Sequence, residues 1–166
     1  MISDTHDSLE MVRRASAKFR EAGVEAVVHL GDFISPFTLR LLGGELGGVR
    51  IVGVLGNNDG EKLGLYSVAR ELGIDLADHP RALELGGARV LILHGFGSPE
   101  NTLEIVRGLA RSRTWDAVLF GHTHEALKEY INGTLLLNPG DGGGVINRPS
   151  IAILDTARME AEIVWL

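Results

Sequence analysis

Side chains that can bind metal ions follow five apolar stretches of this sequence, each at the point where the stretch ends. The clearest case is a Gly-His-Thr-His motif at 121–124, directly after the apolar run 117–120. The two histidines follow this run rather than lying within it, so we expect their rings to reach neighbouring points from the loop beyond the strand. The other stretches end in the same way, and the complete set is Asp4, His6, Asp32, Asn57, His94, His122 and His124.

These side chains comprise two carboxylates, one amide oxygen and four imidazoles, without sulfur. Such a mixture suits Mn²⁺, Fe²⁺, Ni²⁺, Co²⁺ or Zn²⁺ better than Mg²⁺ or Ca²⁺. Seven protein ligands exceed what one ion usually takes, whereas two ions about 3.5–4 Å apart that share a carboxylate accommodate them. Because strand ends in an open α/β sheet converge on one place, the pattern predicts a single site with two divalent transition-metal ions.

The composition is that of an ordinary globular domain. The chain has 166 residues, 45% hydrophobic and 23% charged, so we expect one domain over residues 1–166. No apolar run approaches the roughly 18 residues that span a bilayer, and no basic-then-apolar leader is present, so a cytoplasmic protein without membrane contact is expected. The absence of cysteine excludes thiolate catalysis, and the net charge of -6 argues against polymeric nucleic acid as a partner.

Two helices are predicted in the first part of the chain. The spacing of apolar residues predicts one over 9–22, with Leu9 on its inner face and Asp7 or Ser8 as its N-cap. A second helix, with a proline in its first turn, is expected to end in a glycine-rich surface loop over 43–48.

Strands and helices alternate before the histidine motif, whereas consecutive strands follow it. Dipeptides typical of tight turns mark two hairpins, Gly86-Gly87 and Asn132-Gly133, and a third hairpin closes the chain over 150–166. Only three residues precede Asp4, so the first strand is either unusually brief or cut short in this numbering. The order predicts an α/β fold with two packed sheets and helices outside.

The motifs Asp-x-His, Gly-Asp, Gly-Asn-x-Asp, His-Gly and Gly-His-Thr-His occur in this order between Asp4 and His124. In this series the chain resembles the calcineurin-like metallophosphoesterase superfamily, and it is most similar to the small single-domain phosphodiesterase branch (YfcE-type). One Gly-Asp pair would be weak evidence, but five motifs in order are specific. The resemblance implies a four-layer α/β/β/α sandwich of two packed mixed sheets flanked by helices.

The resemblance also implies which residues hold each ion. The first ion would be held by Asp4, His6, Asp32 and His124. The second would be held by Asp32, Asn57, His94 and His122, with the carboxylate of Asp32 between the two ions. Manganese is the first expectation, with nickel, iron, cobalt or zinc as alternatives.

By the same resemblance, the chain is expected to be a dinuclear metal-dependent phosphodiesterase acting on a small phosphodiester. A hydroxide bridging the two ions would attack phosphorus in line, without a covalent intermediate. Catalytic roles are expected for Asn57, Asp59 and His94, with Asp59 fixing a neighbouring ligand or loop. Contacts with the substrate are expected from Asn58, Gly95 and Thr123.

Two positions depart from the family pattern. Many relatives carry histidine where this chain has Asn58, and histidine can protonate a leaving oxygen whereas an amide cannot, so esters with poor leaving groups are expected to react slowly. The family loop Asn-Pro-Gly often continues with serine, but here it continues with Asp141. The added carboxylate is expected to repel a doubly charged monoester more than a diester. No motif supplies an arginine for a monoester's additional oxygen either.

Other functions on the same fold remain open. A non-catalytic scaffold similar to the retromer subunit has a degraded metal site, whereas every ligand position is intact here. A phosphomonoesterase is a second alternative. A nuclease is a third, although the chain is acidic and has no length to spare for capping regions. The apolar residues 163–166 would form an exposed edge strand, so a homodimer or homotetramer is expected to cover it.

Histidines and glycines outside these motifs receive simpler interpretations. His29 lies inside a predicted strand, so a structural role is expected. His79, beside Pro80 in a polar loop, is expected to be exposed. The glycine run 142–144 lacks the following helix and lysine of a phosphate-binding loop, so it is interpreted as a turn.

Overall fold

A computed structural model describes all residues from 1 to 166, in four helices and ten strands. The helices are α1 (Leu9–Glu21), α2 (Pro36–Leu46), α3 (Lys62–Leu72) and α4 (Pro99–Arg111). The strands are β1 (Ala26–His29), β2 (Arg50–Val54), β3 (Asp75–Ala77), β4 (Arg81–Leu85), β5 (Ala88–Ile92), β6 (Ala117–Leu119), β7 (Ala126–Ile131), β8 (Thr134–Pro139), β9 (Ser150–Asp155) and β10 (Glu160–Trp165). None of the helices is long and apolar enough to cross a membrane.

The first sheet is built around three parallel strands in the order β1-β2-β3. The stretch before Asp4 extends it, because the backbone N–H of Ile2 donates to Val28 O at 2.9 Å and the N–H of Leu30 donates to Ile2 O at 2.9 Å. On its other side, Ala152 of β9 donates to Met1 O at 3.0 Å. The brief first strand therefore joins the antiparallel β9–β10 hairpin to the parallel strands, which makes the sheet mixed.

The second sheet has five strands in the order β4-β5-β6-β8-β7. Strands β5, β6 and β8 run parallel, and the two edge strands β4 and β7 pair antiparallel. The two predicted tight turns join β4 to β5 and β7 to β8, so both hairpins are confirmed. The asparagine-glycine turn adopts positive φ values of 53° and 92°, which only a few residue types accept readily.

Three apolar clusters define four layers. The first lies between α1–α3 and the first sheet and includes Phe19 and Ile51. The second lies between the sheets and includes Val52 and Leu135. The third lies between the second sheet and α4 and includes Val106. Strands buried on both faces explain the continuous apolar runs of the sequence, and the layers confirm the expected α/β/β/α sandwich.

The start of α1 differs from the prediction. Ser8 is its N-cap but makes no side-chain hydrogen bond, and Leu9 is 36% exposed rather than on the inner face. The carboxylate of Asp7 instead accepts hydrogen bonds from the backbone and hydroxyl of Ser35 and from the hydroxyl of Thr38. Asp7 therefore caps α2, a helix that begins far along the chain, and this contact ties the first loop to it.

Helix α2 continues through the glycines that were predicted to form a surface loop. Gly43 and Gly44 are both helical, and the helix ends at Leu46 before Gly47. A Cβ on Gly43 would lie 2.9 Å from Cδ1 of Leu72, so α2 and α3 approach closely there. Tertiary packing against α3 therefore outweighs the low helix propensity of glycine.

The C-terminal edge strand is partly covered by residues of the second sheet. Lys128 and Tyr130 of β7 donate to the backbone carbonyls of Ala161 and Met159, at 2.8 and 2.7 Å. Trp165 is 46% exposed. The edge that suggested an oligomer is thus closed in part by side chains of the same chain.

Replacing Gly44 tests the extended α2. Since an added methyl meets no atom within 4 Å, Gly44→Ala is expected to stabilise the protein by up to about 1 kcal/mol. Gly43→Ala is expected to gain less, because its methyl displaces Leu72. Urea denaturation measures the change in unfolding free energy of both variants, provided that the dependence of this free energy on urea concentration stays the same. Destabilisation by Gly44→Ala would contradict the helical assignment of this segment.

Candidate metal centre

All the predicted metal-ligand residues lie at one end of the sandwich. Asp4 and His6 follow the brief first strand, Asp32 follows β1 and Asn57 follows β2 in the first sheet. In the second sheet, His94 follows β5, and the histidine motif at 121–124 follows β6. Since these strands are parallel within each sheet, their carboxyl ends bring the loops together between the two sheets.

Most of the ligand residues adopt a left-handed backbone conformation. The φ values are 55° for Asp4, 43° for His6, 59° for Asp32, 69° for His122 and 58° for His124. This conformation costs roughly 1 kcal/mol or more for a residue with a side chain, and it concentrates at functional sites. Here it turns the chain sharply at each strand end, which directs the side chains toward one another.

One group of ligand atoms contains Asp4, His6 and His124, all within 4.8 Å of one another. Oδ1 of Asp4 lies 3.5 Å from Nε2 of His124. The rings of His6 and His124 stack with their centroids 5.1 Å apart. A carboxylate and two imidazoles in this arrangement can hold a transition-metal ion.

A second group contains Asp4, Asp32 and His94, again within 4.8 Å. The amide oxygen of Asn57 lies 3.0 Å from Nε2 of His94 and 2.9 Å from Nδ1 of His122. Oδ2 of Asp32 lies 3.4 Å from Nε2 of both His6 and His94. The structure thus brings all the predicted ligands together, with Asp32 between the two halves.

Buried atoms without partners show that this donor set suits cations. Oδ1 of Asp4 and Nε2 of His6 are buried, and neither makes a hydrogen bond. Burial raises the pKa of Asp4 despite the nearby histidines, since an ionised carboxylate loses hydration there. Leaving such groups without partners is costly, and a divalent ion would satisfy both. The residues present therefore fit a transition-metal centre.

Asp32 has a different electrostatic environment. Burial alone would raise its pKa, but hydrogen bonding from His94 and Asn58 outweighs burial and holds the pKa below its usual range. Asn58 contributes both its backbone N–H, at 2.9 Å, and its side-chain amide, at 2.7 Å. The Asp32 carboxylate is thereby kept ionised and fixed in position.

Asp59 fixes two loops by accepting three backbone hydrogen bonds. The donors are the N–H groups of Asp32 at 3.0 Å, Gly56 at 2.7 Å and Ile34 at 2.8 Å. Its side chain faces these backbone groups, so it holds the loops that carry Asp32 and Asn57.

The three residues expected to contact substrate are also engaged within the protein. The amide of Asn58 donates to Asp32, and the hydroxyl of Thr123 accepts a hydrogen bond from Asn138 at 3.1 Å. Gly95 lies against the side chain of His122. A Cβ added to Gly95 would come within 2.5 Å of the Cβ of His122. Their role toward substrate stays a prediction.

Glycines that directly precede two of the predicted ligands, Gly56 and Gly121, allow a neighbouring loop to pack closely against them. A Cβ on Gly56 would collide with the carboxylate of Asp32. A Cβ on Gly121 would collide with the hydroxyl of Ser3 and lie 3.0 Å from Oδ2 of Asp4. The glycines beside the ligands therefore set how closely the loops pack.

Asp141 lies beside the predicted ligand His124, with its carboxylate turned toward protein atoms. Its carboxylate is fully buried, with Oδ2 3.1 Å from Nδ1 of His124, on the far side of that ring from Asp4. Burial would raise its pKa, but His124 and backbone N–H groups of the following loop outweigh burial and lower it. The Asp141 carboxylate therefore faces protein atoms, and its expected repulsion of a monoester stays a prediction.

His29 and the glycine run behave as expected. His29 is fully buried, its Nε2 lies 3.1 Å from the Thr5 hydroxyl and its ring stacks on Phe33. Burial lowers its pKa to about 3, so the imidazole is neutral. Gly142 and Gly143 donate backbone hydrogen bonds to the loop at Ser3 and Asp4, so the run packs against protein.

His79 is half-buried, which the sequence did not predict. Its ring centroid lies 5.0 Å from that of Phe96 and 6.2 Å from that of His94. Burial and the neighbouring His94 lower its pKa. The short strand β3, also unpredicted, carries His79 to this end of the sheet, so recognising that strand would have revealed the residue.

Known proteins resemble this chain over nearly its whole length. A model of the calcineurin-like phosphoesterase superfamily domain matches residues 1–159. The phosphodiesterase MJ0936 of Methanocaldococcus jannaschii is 34% identical over 162 residues, 96% of this chain and 93% of that protein. The solved structure of an archaeal phosphodiesterase has a TM-score of 0.87 and 34% identity, over 99% of this chain and 98% of the other. Vps29 of Chaetomium thermophilum shares the fold, with a TM-score of 0.67 and 16% identity over 99% of this chain and 90% of that one.

Truncating Asp59 tests its role in holding the loops. Asp59→Ala would leave three backbone N–H groups without an acceptor at a buried position, at an expected cost of about 3 kcal/mol in unfolding free energy. Asp155→Ala is a matched control, because Asp155 also accepts backbone hydrogen bonds but in an exposed turn. Its expected cost is about 1 kcal/mol or less. Equal losses in urea denaturation would contradict the assigned role.

Proposed function

This chain belongs to the calcineurin-like phosphoesterase superfamily, and we propose that it is a phosphodiesterase with a dinuclear metal centre. The observation that carries the proposal is the convergence of two buried carboxylates, four imidazoles and one amide oxygen, in which Oδ1 of Asp4 and Nε2 of His6 have no partner. The phosphodiesterase relative that shares 34% of its residues supports the activity.

The ligands divide between two ions in the proposal. Asp4, His6, Asp32 and His124 would hold the first, and Asp32, Asn57, His94 and His122 would hold the second. The sharing of Asp32 is supported by its Oδ2 atom, which lies 3.4 Å from a ring nitrogen in each half. Manganese is the first candidate, with nickel, iron, cobalt or zinc as alternatives.

The chemistry requires no nucleophile from the protein. When bound, the two ions would supply Lewis acidity that activates water toward phosphorus and offsets the charge of the phosphate oxygens. The protein residues provide the arrangement: Asp59 holds two ligand loops, and Asn58 holds the shared carboxylate in its ionised form. Since the chain has no cysteine to act as a thiolate nucleophile, the proposed hydrolysis is a single displacement at phosphorus without a covalent intermediate.

A small phosphodiester is the proposed substrate. No arginine takes part in the ion pairs among the predicted ligand residues, so no guanidinium is placed among them to pair with the additional charge of a monoester. The net charge of -6 also disfavours polymeric nucleic acid, whose affinity depends on basic residues. Binding of one small diester at the end of the sandwich where the predicted ligands lie agrees with both features.

A scaffold function receives less support. The likeness to Vps29, at 16% identity, concerns the fold alone. A scaffold has no need for buried, unpartnered ligand atoms, since these cost free energy without a cation. Self-association as a homodimer or homotetramer is retained as a proposal, based on the exposed Trp165 and its neighbours at the chain end.

Hydrolysis of bis-p-nitrophenyl phosphate tests the proposed function. Activity is expected with Mn²⁺ and is expected to vanish on chelation, because the leaving group needs no acid. Asp32→Asn should remove at least about 99% of the activity, since it disrupts the ligand common to both ions. Glu162→Gln, at an exposed carboxylate on β10, should leave the rate unchanged. Folded protein inactive with every divalent transition metal would overturn the proposal.

The leaving-group preference tests the role of Asn58. Asn58→His is expected to raise the rate on alkyl phosphodiesters relative to that on nitrophenyl diesters, because an imidazolium can protonate a poor leaving group. The measurement is the ratio of the rate on alkyl diesters to the rate on nitrophenyl diesters. Loss of the Asn58–Asp32 hydrogen bond lowers both rates, so its effect cancels in this ratio. Asn58→Ala is the control for that loss. An equal ratio in both variants would disprove the explanation.

A further inference from the structure

The carboxylate of Asp141 is held rigidly within its own loop. Oδ1 accepts a hydrogen bond from the backbone N–H of Gly144 at 2.8 Å. Oδ2 accepts from the N–H groups of Ile146 at 2.7 Å and Asn147 at 2.9 Å. The side chain is fully buried, so solvent does not compete for it. Its position is therefore fixed independently of the histidine beside it.

The imidazole of His124 lies between two carboxylates. Its Nε2 is 3.5 Å from Oδ1 of Asp4, and its Nδ1 is 3.1 Å from Oδ2 of Asp141. The Nδ1 atom is buried and has no aligned hydrogen-bond partner, so the Asp141 carboxylate is the charged group it faces. A proton on Nδ1 is attracted by this carboxylate, which leaves the lone pair of Nε2 directed toward the ligand group.

We propose that Asp141 is a positioning residue that fixes the ring plane and tautomer of His124 and thereby strengthens metal binding by the group formed with Asp4 and His6. The inference rests on the proposed dinuclear centre. Carboxylates that support a ligating histidine from behind typically contribute about 10–100-fold to metal affinity. Asp141 comes from a loop without any ligand of its own.

A purely structural role for Asp141 predicts a different result. If the carboxylate only anchors residues 144–147, its loss would loosen the loop without changing the tautomer of His124. Asn147 provides the control, because its side-chain amide donates to the backbone carbonyl of His124 at 3.0 Å. Asn147→Ala loosens the same loop from the same histidine while the facing carboxylate stays in place.

The first measurement is made on metal-free protein by nitrogen NMR of the histidine rings. The native chain and Asn147→Ala are expected to show His124 with its proton on Nδ1. Asp141→Asn and Asp141→Ser are expected to show a mixture of tautomers or the proton on Nε2. Asp141→Asn places an amide NH₂ group among several backbone N–H donors, which disfavours folding. Asp141→Ser is included because it has no such group. An unchanged tautomer in a folded variant would overturn the proposal.

The second measurement is Mn²⁺ affinity by calorimetry on the same proteins. The Asp141 variants are expected to weaken the binding of one ion by about tenfold or more, with Asn147→Ala within about twofold of the native chain. Equal weakening in all variants would assign Asp141 to loop anchoring and overturn the proposal. If the native chain binds no metal, the proposed function fails, whereas the tautomer measurement still decides the role of Asp141.

Discussion

The burial of two acidic side chains side by side is the constraint on which the site depends. Asp4 and Asp32 are almost completely buried in one cluster of ligand atoms, and like charges in such surroundings repel while losing hydration. The protein offsets this repulsion unevenly. Asp32 receives hydrogen bonds from both groups of Asn58, whereas Oδ1 of Asp4 receives none. A divalent cation bound at Oδ1 of Asp4 would offset the charge that the protein leaves without a partner.

Packing between loops keeps this unfavourable cluster assembled. Glycine at Gly56 and Gly121 allows backbone to approach the carboxylates of Asp32 and Asp4 with no room for a methyl group. Asp59 then joins the loops after β1 and β2, and Asp7 joins the first loop to α2. Each of these contacts links segments distant in sequence, so the ligand geometry depends on the whole sandwich rather than on any single loop.

Much of this arrangement can be predicted from the sequence. The contacts that cannot be predicted are those between residues distant along the chain. Apolar runs buried on both faces indicate the strands, and a polar side chain beside glycine at the strand ends indicates the candidate ligands that the fold brings together. What a polar side chain contacts across the fold is not encoded locally: Asp7 lies beside α1 in sequence but caps α2, and Asp141 faces His124. The strand β3 is too short and too exposed to show a pattern, so the burial of His79 beyond it cannot be predicted from the sequence.

The side chains that join β7 to β10 bear on how this protein meets other chains. Lys128 and Tyr130 occupy carbonyl oxygens that an incoming strand would otherwise use. Strand addition by a second copy, or by an extended peptide, is thereby hindered along this border of the sandwich. Self-association there is therefore expected to rely more on packed side chains such as Trp165 than on strand pairing.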